Sequence, residues 1–202
     1  MSVSALRHNA SEMQRRMGLP LIPMVKANAY GVGAAGVVRA LESLDPMAYG
    51  VATIAEGEAL RELGIVRPVI VFTPVLAGEH ARARTADLTL ALGDSESIRS
   101  WAMSGGQYHL AIDTGMSRAG VDWREVTSVR DVVREWPPQG AFTHFHSAES
   151  DDGSAHAQVG RFFAALAEIG TPIAILHGDN SAAAALAVEA SGRWSAIRPG
   201  VF

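Results

Sequence analysis

Cysteine is absent from this 202-residue chain, and lysine occurs once. Without a thiol there is no disulfide and no thiolate metal site, and a cytoplasmic location is expected. No apolar run approaches ~18 residues, so a transmembrane helix is not expected. Basic runs are missing and the net charge is −4, which leaves no footprint for nucleic acid. Residues 1–9 lack the apolar core of a signal peptide. Low-complexity segments and charge blocks are missing too. With 48% hydrophobic residues, the chain can bury a substantial core as one domain spanning 1–202.

What is present is an alternation of short apolar runs with amphipathic stretches. Strands are predicted at 21–25, 48–53, 69–72, 88–92, 108–113, 140–145, 173–177 and 196–202. Helices are predicted between them at 33–44, 54–63, 77–85, 95–105, 123–136, 154–169 and 181–191. Gly64, Gly105 and Gly170 stand where C-terminal caps belong. Strands that alternate with helices in this way indicate parallel βαβ units. Eight of them match an α/β (β/α)8 TIM-type barrel better than an open doubly wound sheet. The last strand has no helix after it, so apolar surface is expected to be exposed there. The chain therefore reads as part of a longer polypeptide.

The lone lysine is Lys26, directly after the apolar run of the first strand and before Gly31 and Gly33. Arginine carries the rest of the positive charge. Codon bias would leave the same count, but an amine at a strand's C-terminal end is where barrel enzymes place chemistry. Unlike a guanidinium, an amine can lose its proton and attack a carbonyl. The other strand ends add Tyr30, Asp113 with Arg118, His144 with His146, His177 with Asn180 and Ser181, and Arg198 with Gly200. In a barrel these converge on one rim. Taken singly, a histidine in a strand is more often a satisfied structural residue; their convergence with an amine, two arginines, a tyrosine and a serine is what points to a site. Asn180-Ser181 opens a predicted helix, as an ordinary cap or as an anion holder. A phosphate held near a lysine amine points to pyridoxal 5'-phosphate (PLP).

Five segments resemble alanine racemases. Val25-Lys26-Ala27-Asn28-Ala29-Tyr30-Gly31 with Gly33 is similar to the family's cofactor-lysine motif. Asp113-Thr114-Gly115-Met116-Ser117-Arg118-Ala119-Gly120 is similar to its second signature. Thr143-His144-Phe145, His177-Gly178-Asp179-Asn180-Ser181 and Arg198-Pro199-Gly200-Val201 follow in the family's order and spacing. The resemblance implies a PLP-binding N-terminal barrel. It also implies an alanine substrate, a homodimer, and a role supplying D-alanine for the cell wall. Lys26 would hold PLP covalently and act as the base toward the D-enantiomer. Tyr30, Ser181 and the backbone at Gly200 and Val201 would hold the phosphate, with Asn180 beside them. Arg118 would approach the cofactor's phenolic oxygen and the substrate carboxylate. Arg198, supported by His177, would face the pyridine nitrogen and keep it unprotonated. His144 would lie near the cofactor, and Phe72 would pack on its ring. No metal is implied, and His146 is left as a rim residue.

Three departures from the family pattern stand out. Ala111 occupies a position where many members carry a carbamylated lysine, so a negative neighbour of Arg118 is missing unless Asp113 or an anion such as chloride substitutes. Val32 replaces a histidine. The family's second acid–base is a tyrosine of a C-terminal β-domain reaching across a dimer, and this chain offers only Tyr30, Tyr49 and Tyr108. An opening strand before Ser4 reads as clipped, so the chain looks truncated at both ends. Further readings stay open: a single-domain PLP-binding barrel that buffers the cofactor without turnover, a broader-specificity amino-acid racemase, and another fold-type III enzyme such as a D-amino-acid aldolase or dehydratase.

Overall fold

The computed structural model describes residues 2–150, 152–186 and 192–200. The strands are β1 (Tyr49–Val51), β2 (Val69–Val71), β3 (Thr89–Leu92), β4 (Tyr108–Asp113), β5 (Val121–Asp122), β6 (Gly140–Phe142) and β7 (Ile175–His177). They form one parallel sheet in the order β1-β2-β3-β4-β6-β7, and β5 pairs with the end of β4. The helices are α1 (Val3–Met17), α2 (Lys26–Tyr30), α3 (Ala34–Leu41), α4 (Ile54–Glu62), α5 (His80–Thr85), α6 (Ser95–Met103), α7 (Thr127–Glu135), α8 (Ser154–Ile169) and α9 (Ser181–Leu186).

Two proline-bearing segments close the sheet into a ring. Residues 20–25 are bonded to β1 through Val25 N–H to Gly50 (2.8 Å) and Gly50 N–H to Pro23 (2.9 Å). On their other side, Ile22 donates to Ile197 and Met24 to Pro199, both at 2.8 Å. Residues 195–199 then join β7 through Ser195 N–H to Leu176 at 2.7 Å. Both segments were predicted as strands, yet they pair only at isolated bridges. The reason is chemical: Pro20, Pro23 and Pro199 have no N–H to give to a ladder. Hydrogen bonds nevertheless run round the ring among the described residues.

Side chains alternate strictly across the wall. Tyr49, Val69, Val71, Leu90, Leu110 and Ala141 join the large core between strands and helices. The opposite faces fill the barrel interior with Ile22, Ala48, Ile70 and Ala196 in one cluster and Ala91, Ala111 and Phe142 in another. Phe72 packs on both. Small interior residues at the C-terminal end of the strands leave room there. At Gly50 even a Cβ would collide with Met24 and Phe72.

The predicted helices stand within a few residues of their places, and 154–169 is α8 to the residue. The end of the predicted 181–191 helix falls on 187–191, outside the described residues. At the start of the chain Ser2 caps α1, its hydroxyl accepting from Ala5 N–H. One expectation needs correcting: the last strand does not expose apolar surface among the described residues, since Ala196 and Ile197 are fully buried. Helix α1 packs against both α3 and α9, in the place an eighth helix would take. Leu6, Ala10, Met13 and Met17 form its inner stripe. That spacing has the helical period and was readable in the sequence.

Candidate active site

At the C-terminal mouth of the barrel lies a cavity of about 660 Å³. It is lined by Lys26, Tyr30, Phe72, Arg118, His144, Asn180, Ser181, Arg198 and Gly200, as well as Ala111 and Asp113. Nine of the predicted residues thus meet at one site. His177 lies beneath it, fully buried. Val201 lies outside the described residues. His146 points away: it is exposed and its Nδ1 is bonded to Ser147 Oγ at 2.7 Å.

Lys26 opens a turn of unusual hand. Ala27, Asn28, Ala29 and Tyr30 have φ of 50°, 52°, 53° and 55°. Each non-glycine residue in that region costs ~1–2 kcal/mol, so the turn stores strain. Its internal bonds run Ala29 N–H to Val25 O (2.8 Å) and Gly31 N–H to Ala27 O (2.9 Å). The Asn28 side chain reaches forward to accept from Ala34 N–H at 2.7 Å. The result aims Lys26 Nζ and the Tyr30 ring into the same cavity, 5.9 Å apart. Burial raises the Tyr30 hydroxyl above its ordinary range.

Across the mouth, Gly200, Ser181 and Tyr30 form a corner. Gly200 N–H donates to Ser181 Oγ at 3.0 Å, and a Cβ on Gly200 would strike the Tyr30 ring and hydroxyl. That corner is closed to any side chain at 200 and presents two hydroxyls. Asn180 has the more ordinary of its two readings, its Oδ1 capping α9 at Ala183 N–H (3.0 Å).

The floor is built around Arg198, which is 4% exposed. One terminal nitrogen donates to His177 O (2.7 Å) and His177 Nδ1 (2.6 Å); the other donates to Thr143 O (2.7 Å) and Gly178 O (3.1 Å). The guanidinium also lies 5.1 Å from the Phe142 ring centre and 5.6 Å from that of Phe72. Burial pushes it down to about 10, with Asp179 opposing the shift, so it stays charged at neutral pH. Because Arg198 donates into His177 Nδ1, His177 carries its proton on Nε2 and gives it to His109 Nδ1 at 2.7 Å. Burial and then the Arg198 charge hold His109 down, to about 4. His177 is lowered well below the ordinary range for the same two reasons, with His109 adding to them. His144 is pushed down to about 3 by burial first, then by Arg198, Arg118 and Lys26. All three are neutral imidazoles.

Arg118 stands at the rim and is exposed. Its side chain has no ion pair among the described residues. Asp113 does not supply one, because its carboxylate is turned to the loop, accepting Gly115 N–H (2.8 Å) and Arg118 N–H (2.9 Å). Burial alone would raise that carboxyl, but the amides of Gly115, Ser117, Arg118 and Met116 outweigh it and hold it low. Ala111 is buried in the wall below.

Several contributors went unnoticed in the sequence. Gln158 of α8 is fully buried and ties three pieces of the rim together. Its Nε2 donates to Thr114 Oγ1 and His144 O, both at 3.1 Å, while its Oε1 accepts His146 N–H at 3.2 Å. A glutamine on the apolar stripe of a helix was the available signal. His109 shares its face of β4 with Ala111 and Asp113, which strand alternation also reveals.

The family model described as alanine racemase, N-terminal domain, matches residues 1–202. An alanine racemase from Geobacter sulfurreducens is 36% identical over 200 residues, covering 90% of this chain and 52% of the relative. One from Carboxydothermus hydrogenoformans is 33% identical over 211 residues, covering 98% and 56%. The chain spans about half the length of these relatives. Among solved structures, the alanine racemase from E. faecalis is similar with a TM-score of 0.90 at 28% identity, covering all of this chain and 57% of that one. The one from Clostridium difficile 630 has a TM-score of 0.87 at 26% identity, covering 97% and 55%.

Proposed function

Because this chain belongs to the alanine racemase family, matching its N-terminal domain, we propose that the intact protein interconverts L- and D-alanine with PLP held by Lys26. The observation that carries the reading is the placement of the chain's one lysine. Its amine enters a cavity whose far corner holds two hydroxyls and a glycine and whose floor is a permanent cation. These groups fit an aldehyde, a phosphate and a pyridine nitrogen respectively. Bound PLP would supply a sink for the electrons left behind when the alanine α-proton departs.

The chain's own residues do the rest. Lys26 Nζ takes or returns the α-proton on one face. Arg198 presents a charged N–H donor set that cannot give up its proton, which opposes protonation of a nitrogen facing it. Neutral His144 and exposed Arg118 flank the space left for the substrate carboxylate. Tyr30, Ser181 and the backbone at Gly200 would hold the phosphate, and Phe72 would pack at the ring. A racemase needs a second acid–base on the opposite face. Tyr49 and Tyr108 are spent elsewhere, on Glu42 Oε1 (2.8 Å) and Trp136 O (2.7 Å). We therefore assign the second group to a residue outside this barrel, in keeping with a homodimer of longer chains. The cytoplasmic location and cell-wall role belong to this same proposal.

Borohydride reduction of the PLP-treated protein, followed by peptide mapping, tests the reading. The pyridoxyl group is expected on Lys26. Label confined to the N-terminal amine would overturn it.

A further inference from the structure

The turn that carries Lys26 is tied to the neighbouring βα loop by one carboxylate. Glu56 lies in the first turn of α4, where it completes a capping box with Thr53. A capping carboxylate ordinarily serves the amide of its own N-cap. Here the short bonds go elsewhere. Oε1 accepts Ala27 N–H at 2.7 Å, and Oε2 accepts Ala52 N–H at 2.7 Å, while the Thr53 amide stands at 3.2 Å.

Ala27 directly follows Lys26 and is the first of four consecutive left-handed residues other than glycine. At the base of the turn Val25 N–H is bonded to Gly50 O of β1 at 2.8 Å, while Ala29, Gly31, Val32, Gly33 and Ala34 donate within residues 25–34. Those internal bonds shape the stretch after Val25 without saying where it sits on the barrel. Among the described residues, Glu56 is the one group outside 25–34 that accepts a backbone amide of residues 26–34. A strained conformation persists only where its surroundings over-determine it. We propose that Glu56 is a positioning residue for Lys26: by fixing the Ala27 amide it sets the register of the left-handed turn, and with it the place of the amine. The consequence for the cofactor rests on the reading of Lys26 given above; the clamp itself does not.

Three amides converge on an acceptor-only group, so the chemistry of the substitution is defined. Glu56→Gln sets an NH2 against at least one N–H donor. Glu56→Asp keeps the charge and can still reach its own N-cap, but falls short of Ala27. Thr53→Ala removes the other half of the cap and leaves the clamp. The experiment is amide hydrogen exchange on the intact, PLP-free protein, read by peptide mass spectrometry. Exchange across 26–33 is expected to rise tenfold or more in both Glu56 variants, and to stay within twofold of the parent in Thr53→Ala. The rate at which added PLP gives borohydride-trapped label on Lys26 should fall tenfold or more in the same two variants. Unchanged exchange in Glu56→Gln, or an equal rise in Thr53→Ala, would reduce Glu56 to a cap. Should Glu56→Gln fail to fold, Glu56→Asp carries the comparison. Absence of Lys26 label in the parent would sink the cofactor reading alone, since the exchange measurement contains no PLP.

Discussion

Arg198 shows how much a single residue can depend on its partners. Its guanidinium gives hydrogen bonds to three carbonyl oxygens and one imidazole nitrogen in a fully buried setting. An acidic replacement would face those carbonyls with no donor, so Arg198→Gln is the better probe of the charge. We expect it to lower racemisation by about 10²-fold, as loss of a preorganised electrostatic group does. Added alanine should also produce a new long-wavelength absorbance, because the floor no longer opposes protonation above it. A spectrum and rate within a factor of two of the parent would remove Arg198 from the mechanism. Arg118 is the contrasting case. Its exposure means that the vacancy at Ala111 costs far less than an unpaired buried charge would.

At the scale of elements, the site depends on how closely backbones approach. Gly93 ends β3 against Gly120, where an added Cβ would come within 2.5 Å of the Gly120 Cα and 2.7 Å of Val121 N. Gly120 has φ of 106° and leads from the loop carrying Arg118 into β5. Nothing flexible can move aside there. Gly93→Ala should therefore cost about 1–3 kcal/mol, the range for overpacking. It should also push the 113–120 loop outward. The KM for alanine should rise more than kcat falls, because Arg118 is assigned to the substrate carboxylate. Equal changes in both constants would argue that the loop does not position substrate. This contact was invisible in the sequence, where Gly93 and Gly120 are far apart, whereas the strands and helices they join were legible from periodicity alone.

For the molecule as a whole, two buried histidines and the half-buried His144, all neutral, set an acid limit. Burial and then the Arg198 charge hold His109 down to about 4 and His144 to about 3, and lower His177 as well. In the unfolded chain each titrates near ~6.5. The unfolded state thus binds more protons between about pH 6.5 and 4, and stability falls as pH falls through that window. Urea midpoints measured across it should decline steeply, and His109→Gln should flatten the slope by up to one proton. A midpoint independent of pH from 6.5 to 4 would contradict the buried neutral state. The ring is closed and α1 covers its last segment, so residues 1–202 expressed alone are expected to fold. They should nevertheless racemise alanine at least ~10²-fold more slowly than a full-length relative, because Lys26 serves one face of the α-carbon and the second acid–base is assigned outside this barrel. Turnover within about tenfold of such a relative would place the second acid–base inside this barrel.

The sequence alone determined the repeating unit, the order of the strands and the rim on which Lys26, Arg118, His144, Ser181 and Arg198 meet. Those follow from local periodicity and from the rule that successive βα units add neighbours. Tertiary structure decided the rest, because it depends on contacts between residues distant in the chain. Ring closure through proline-broken segments needed residues 20–25 to find 195–199. The tautomer of His177 needed both Arg198 and His109. The left-handed turn at Lys26 is tied to a carboxylate of the next βα unit, which lies twenty-nine residues from Ala27.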